Sequence, residues 1–291
     1  MVMCSNCGHG FEPANRRGPA AARCSKCRAE RKRELRRKPV TRRRFRVLSL
    51  GAGQQSSALL LMSAAGLLPK LDLVVFADTQ WERRVVYDHL EVISSRARDA
   101  GIRVERVTVG NLRESAVGDF VPMPVFGKRD GHRVVMRQMC TVDWKIVPIR
   151  RAIREAAGPL AGLTVELWLG ISLEEMFRMK PSPVNYIEHT YPLIDMRWTR
   201  QDCVSYLASV GISDPPRSSC IACPYKSVGE WRAMKRDAPD EWADAVDFDA
   251  SLRSRPDPLF VHQSLKPLPL VLSRPEQGEL WNNECEGHCG V

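Results

Sequence analysis

The sequence predicts an α/β fold: a mostly parallel sheet of five or six strands with helices on both faces, preceded by a small cysteine-paired unit. Three observations predict it. From Phe45 onward, short apolar runs alternate with helical stretches. Composition changes sharply near residue 46, where a strongly basic leader gives way to a nearly neutral body. Four of the ten cysteines form two tight pairs close to the start of the chain.

In the leader, residues 1–46 carry 15 Lys and Arg against 3 Asp and Glu, a net of +12; the other 245 residues carry 29 against 31, a net of −2. Cys4-x2-Cys7 and Cys24-x2-Cys27 are separated by sixteen residues. That is the spacing of a zinc ribbon: each pair sits on a tight turn, and four thiolates close a tetrahedral Zn2+ site. His9 is then a bystander. Paired cysteines without an apolar signal segment read as metal ligands or redox thiols, which implies a reducing, cytoplasmic compartment. No apolar run reaches the roughly 18 residues that span a bilayer, so a membrane is not an expected partner. Residues 28–46 hold eleven basic and two acidic residues. Such a run is either a solvated linker or an arm that tracks the phosphates of a nucleic acid, and its place beside a ribbon favours the arm.

The body follows in order. Phe45–Leu50 reads as a short strand and Ser56–Ala65 as an apolar helix. Leu71–Ala77 is a buried strand, Arg83–Ala100 a helix, and Arg103–Val109 a strand. Ile149–Ala157 is a helix and Val165–Ile171 a further strand. Strands alternating with helices argue for a parallel sheet, and such sheets bind ligands outside the carboxyl ends of their strands. The ends to watch therefore follow Leu50, Ala77 and Leu169.

Chemistry collects at those ends. After the first strand comes Ser49-Leu50-Gly51-Ala52-Gly53-Gln54-Gln55-Ser56-Ser57. Small residues let backbone N–H groups approach an anion, and the following helix N-terminus adds its dipole. No Gly-Lys-Ser/Thr ending follows, so it is not a Walker loop. The stretch resembles the pyrophosphate loop of the adenine nucleotide alpha-hydrolase (PP-loop) superfamily, Ser-Gly-Gly-x-Asp-Ser. Gly53 falls on its second glycine and Ser56 on its last serine; Gly51, Ala52 and Gln55 replace the first serine, first glycine and aspartate.

Further motifs narrow the resemblance to phosphoadenosine phosphosulfate (PAPS) and adenylyl-sulfate reductases. Asp78-Thr79-Gln80 resembles their Asp-Thr-Gly element. Gly170-Ile171-Ser172-x2-Glu175-x2-Arg178 resembles their Gly-x-Arg-x2-Glu-x2-Arg stretch, with Ser172 in the first arginine place. Tyr191-Pro192-Leu193-Ile194-Asp195 and Trp198-Thr199-x2-Asp202 resemble a later segment. Cys140-x4-Lys145-x2-Pro148-Ile149 and Cys220-x2-Cys223 resemble the iron–sulfur signature, with Thr141 and Trp144 in the places of a second cysteine and an arginine. The match spans roughly residues 46–226. The expected domains are a zinc ribbon over 1–28, a basic linker or arm over 29–45, a reductase-like nucleotide-binding domain over 46–226, and a helical segment with a cysteine-containing tail over 227–291.

Read from the residues, Cys140, Cys220 and Cys223 are three thiolates on two loops. They suit a 4Fe–4S cubane with one open or foreign-liganded iron, a zinc site with a fourth ligand, or a buried cysteine beside an incidental pair. Cys203 reads as core. In the tail, Glu284-Cys285-x2-His288 fits the outer frame of the reductases' Glu-Cys-Gly-Leu-His motif, which implies Cys285 as nucleophile with His288 beside it. Cys289 makes a Cys-x3-Cys pair that equally suits metal binding or a redox disulfide, and a frayed tail is the third reading. Lys145, Arg178 and Arg137 are the basic groups expected near the nucleotide; Arg178 alternatively forms a surface ion pair with Glu174 or Glu175 at helical spacing.

The resemblance implies an adenine-nucleotide site (ATP, adenylyl sulfate or PAPS) formed by Gly51, Gly53, Gln55, Ser56, Ser57, Asp78, Gly170 and Arg178. It also implies catalysis by Cys285, His288 and Lys145 and an electron or sulfur donor protein as partner. The expected activity is sulfur transfer or reduction on an adenylyl or sulfonucleotide. The basic leader supports a rival, ATP-dependent thiolation of tRNA or DNA, and the altered loop a third, a nucleic-acid-binding module with an inactive nucleotide pocket.

Overall fold

A computed structural model describes residues 2–4, 7–11, 24–27, 29–30, 43–118 and 121–273. The chain divides into two compact units near residue 43.

In the first unit, β1 (Val2–Met3) pairs antiparallel with β2 (Gly10–Phe11). The knuckle between them is closed by two backbone hydrogen bonds, Cys4 N–H to the His9 carbonyl and Gly8 N–H to the Cys4 carbonyl, both 2.9 Å. Gly8 adopts φ 69°, a left-handed conformation that glycine enters at no steric cost. The buried apolar cluster of this unit consists of Cys4, Cys24 and Cys27.

The second unit is built on a five-stranded parallel sheet in the order β5-β4-β3-β8-β9. Its strands are β3 (Arg43–Leu50), β4 (Leu73–Asp78), β5 (Arg103–Thr108), β8 (Leu163–Trp168) and β9 (Ile187–Thr190). An antiparallel hairpin, β6 (Phe126–Arg129) with β7 (His132–Val135), stands apart from it. Strand β9 was not anticipated: four residues, Ile-Glu-His-Thr, carry too little apolar pattern to announce a strand, and pairing with β8 supplies what periodicity lacks.

Period-two alternation divides the sheet residues between two cores. Leu48, Leu50, Val74 and Phe76 point to one face, where α1 (Gln54–Ala64), α2 (Arg84–Asp99) and Leu207 of a later helix cover them. Val47, Leu73, Val75, Ala77, Val165 and Leu167 point to the other, against Ile149, Ala152, Ile153 and Ala157. Every residue of α1 from Ser56 to Ser63 is buried. A helix that is apolar all round must be covered all round. Cys203 packs in the first core as expected, and burial, helped by Glu174 and Asp202, pushes its thiol up to about 12.

A third cluster joins the C-terminal helices, Val228–Asp237 and Pro239–Arg253, to the loop after β4. Trp81 meets Phe248 edge to face at 4.8 Å and donates from its indole to Asp244 at 2.6 Å. Arg83 pairs with Glu241 at 2.8 Å. The buried Asp249 carboxylate accepts the backbone N–H groups of Val261 and Leu268, at 3.1 and 3.2 Å, and so pins the chain that follows.

Candidate active site

Outside the carboxyl ends of β3, β4 and β8 lies a cavity of about 200 Å3, the place a doubly wound sheet reserves for a ligand. It is lined by Gly51, Gly53, Gln55 and Ser56, by Gly170 and Arg178, and by Lys145, Cys140, Cys220 and Cys223. These residues come from loops far apart in sequence, and the sheet brings them together.

The loop after β3 is closed by its own bonds. Gly51 N–H donates to Ser56 Oγ at 3.2 Å, and Ser57 N–H to the Gly53 carbonyl at 3.0 Å, the first turn of α1. Ser56 thus shapes the loop besides facing the cavity. Ala52 holds φ 53°, the left-handed region that favours glycine. Gly170 serves close approach: a Cβ there would lie 2.9 Å from Ser56 N and 3.2 Å from Ser56 Cα, so only glycine lets the end of β8 touch the loop. Ser218 closes over the loop from the other side, where a Cβ on Gly53 would meet its backbone nitrogen at 3.2 Å.

Two of the expected nucleotide ligands face elsewhere. Asp78 Oδ1 accepts from the Tyr87 hydroxyl at 2.7 Å and from Gln80 N–H at 2.8 Å, while Oδ2 takes Arg106 Nε and Nη2 at 2.9 and 2.7 Å. Both oxygens are committed on the α2 side, because the final residue of β4 points opposite to the loop that follows it. Burial and this carboxylate push the Tyr87 phenol well above its ordinary range. Ser57 is fully buried and shares a 2.8 Å hydrogen bond with His89 of α2, one helical step round from Ser56. Arg137 is not among the lining residues, and Trp144 donates to the Gly110 carbonyl at 3.2 Å. Cys285, His288 and Cys289 lie outside the described residues, as does most of the basic run.

The cavity is cationic. Lys145, Arg178, Arg200, Arg217 and Lys226 line it, against Glu175 and Glu230. Arg178 pairs with Glu175 at 2.7 Å, three residues earlier, but the pair is largely buried rather than at the surface, and Arg178 lines the cavity. Lys226 was not anticipated. It is 3% exposed, bonded to Ser219 Oγ, and burial pulls its ammonium below the ordinary lysine range. A lysine two residues past a proline reads as a turn residue, and only packing shows it buried.

Cys140 lies just before a π-helical turn, Val142–Ile146, and Lys145 within it; the turn runs into the helix Val147–Ala157. A π turn bonds residues five apart, and these two both line the cavity. Lys145 meets the Glu82 carboxylate at 3.4 Å. Glu82 is buried; its Oε1 lies 3.5 Å from Cys220 Sγ, and its Oε2 has no hydrogen-bond partner among the described residues. Burial pushes the Cys220 thiol well up, Glu82 pushes the same way, and Lys145 partly offsets both.

The four N-terminal cysteines have a different geometry. Their sulfurs all lie within 4.8 Å of one another, the one such group among the described residues. Bonds of about 2.3 Å to a tetrahedral zinc place sulfurs about 3.8 Å apart. Cys7 and Cys24 Sγ are 3.8 Å apart, and Cys24 N–H donates to Cys4 Sγ at 3.3 Å. The donor set fits a zinc ribbon.

No family model matches the chain, and no curated protein does. Among solved structures it is similar to the PAPS reductase of Candida auris in its phosphate complex, at 15% identity and a TM-score of 0.38, over 64% of this chain and 81% of that one. It is also similar to the U34-tRNA thiolase NcsA of Methanococcus maripaludis with its 4Fe–4S cluster, at 12% identity and a TM-score of 0.37, over 100% of this chain and 96% of that one. No helix among the described residues is long and apolar enough to cross a membrane.

Proposed function

We propose that this protein is an enzyme that binds an adenine nucleotide and carries out sulfur transfer or reduction at Cys140, Cys220 and Cys223. One observation carries the reading: the same cationic cavity is lined by a glycine-containing loop at a helix N-terminus and by three cysteines. The N–H groups of the loop and the first turn of α1 favour phosphate or sulfate oxygens. Lys145 and the arginines neutralise charge on the bound anion. Cys140, Cys220 and Cys223 would hold an iron–sulfur cluster. Three thiolates lining one cavity suit a multi-metal group with one iron left open to a ligand or to sulfur. The raised thiol of Cys220 releases its proton when metal binds, so loading is favoured by higher pH. When bound, such a cluster supplies electrons or an iron site for sulfur.

A second reading has its own observation. The leader's charge of +12 has no use in turning over a small sulfonucleotide, and it suits a nucleic-acid substrate for ATP-dependent thiolation. Zn2+ bound by Cys4, Cys7, Cys24 and Cys27 would order that leader.

Anaerobic purification tests both, with iron, sulfide and zinc analysis, nucleotide titration and sequencing of any nucleic acid carried along. We expect iron and sulfide that disappear in Cys220→Ser, and micromolar binding of ATP, adenylyl sulfate or PAPS. Protein reconstituted with iron and sulfide that binds neither cluster nor nucleotide would refute the proposal. Specific RNA or DNA carried by the full chain selects the thiolation reading.

A further inference from the structure

Glu175 gathers its motif neighbours Ser172 and Arg178 with Gln55 and with Arg200, a residue that the sequence motifs do not single out. It is 3% exposed, and its two oxygens serve four groups. Oε1 accepts from Arg178 Nη1 at 2.7 Å and from Arg200 Nη2 at 3.0 Å. Oε2 accepts from Gln55 Nε2 at 3.1 Å and from Ser172 Oγ at 3.4 Å. One buried carboxylate therefore ties two arginines to the phosphate-loop residue Gln55.

Arg200 reaches this carboxylate from a separate element. It opens the helix Arg200–Ser209, whose start is fixed by a capping box between Thr199 and Asp202. Its backbone N–H is held by Glu174 Oε1 at 2.7 Å. A side chain launched from so fixed a backbone is aimed with little loss of freedom on binding. Both arginines line the cavity, and Arg178 Nε is buried with no hydrogen-bond partner among the described residues. A buried N–H donor left unsatisfied is costly, and an oxyanion within reach removes that cost.

We propose that Arg178 and Arg200, held side by side by Glu175, form a two-arginine clamp for a tetrahedral oxyanion, the phosphate or sulfate at the end of a nucleotide. A guanidinium presents five donors in a rigid fork, and sharing one carboxylate oxygen sets two forks around one point. The clamp deepens the nucleotide reading and rests on it for the identity of the rest of the ligand.

Calorimetric titration of the full chain tests it, comparing the parent with Arg200→Ala and Arg200→Lys against inorganic pyrophosphate, ATP, adenylyl sulfate and adenosine. Arg200→Ala should bind pyrophosphate and the anionic nucleotides about ten- to a hundredfold more weakly, the loss of a charge-assisted bond. Adenosine should bind as in the parent. Arg200→Lys, which keeps the charge and loses the fork, should fall between, and it decides the matter if the alanine variant does not melt cooperatively. A loss with ATP assigns the clamp to phosphate, and a loss confined to adenylyl sulfate assigns it to sulfate. Parent-like binding of all three anions by both variants would overturn the clamp, as would an equal loss for adenosine. Arg200-dependent pyrophosphate binding without binding of any adenine compound would keep the clamp and refute the nucleotide reading. Nucleotide binding indifferent to Arg200 would do the reverse.

Discussion

The two units hold their cysteines by opposite means. In the first, Cys4, Cys7, Cys24 and Cys27 meet within 4.8 Å, and three of them make up the unit's buried apolar cluster. In the second, Cys140, Cys220 and Cys223 sit on the wall of a cavity whose shape is set by three hydrophobic clusters and a parallel sheet. The lesson is causal. Among the described residues of the first unit the donors are themselves the buried cluster, and in the second the core builds the place for the donors.

The largest expected effect follows from that difference. Cys24→Ser should abolish stoichiometric zinc and unfold the first unit, because structural zinc provides about 10–16 kcal/mol of apparent folding free energy in domains of this kind. The melting of the second unit should stay unchanged. Cys220→Ser should give the converse, with zinc retained and iron lost. Metal analysis beside calorimetric melting of both variants checks the contrast. A single shared transition that moves in both would end the distinction.

Gly170→Ala probes the second unit where its core meets its site. The added methyl has Ser56 backbone atoms at 2.9 and 3.2 Å and no flexible side chain to push aside. A cost of about 1–3 kcal/mol is expected, with weakened nucleotide binding. Urea unfolding with a parallel ATP titration measures both, and unchanged values would place β8 farther from the loop.

Acid should separate the units by a different route. Burial lowers the His89 pKa below its ordinary 6.5, and His189 shifts the same way. A depressed folded value means the neutral imidazole is the stable form. The contribution is full above pH 6.5 and is lost as pH falls from there toward the folded value, by up to about 1.4 kcal/mol per unit. His89→Gln should flatten this slope in the second unit without altering acid release of zinc from the first. Stability profiles between pH 7 and 5 decide it.

The smallest effect belongs to Ala52→Gly. Relief of a left-handed alanine is worth about 1–2 kcal/mol, and the greater freedom of unfolded glycine, about 0.5–1 kcal/mol, together with the lost methyl offsets it. A net change within about 1 kcal/mol, by denaturant titration, is expected. A larger loss would show that the buried methyl packs harder than its backbone is strained.

By itself the sequence determined what depends on local pattern. Cys-x2-Cys spacing specified the N-terminal donor set, because each pair needs one tight turn. Alternating apolar runs specified the α/β class, and small residues between Leu50 and Gln54 marked the loop that lines the cavity. Tertiary structure alone decided which way each of those residues faces. Asp78 and Ser57 turned toward Arg106, Tyr87 and His89, since a strand end and a helix step each offer two sides and only packing chooses. Lys226 and Glu82 became buried neighbours of the cysteines, and Arg200 joined Arg178 on Glu175, 25 residues away in sequence. A charge pair between distant loops leaves no period in the sequence. It exists only once the sheet has brought both ends to the same cavity.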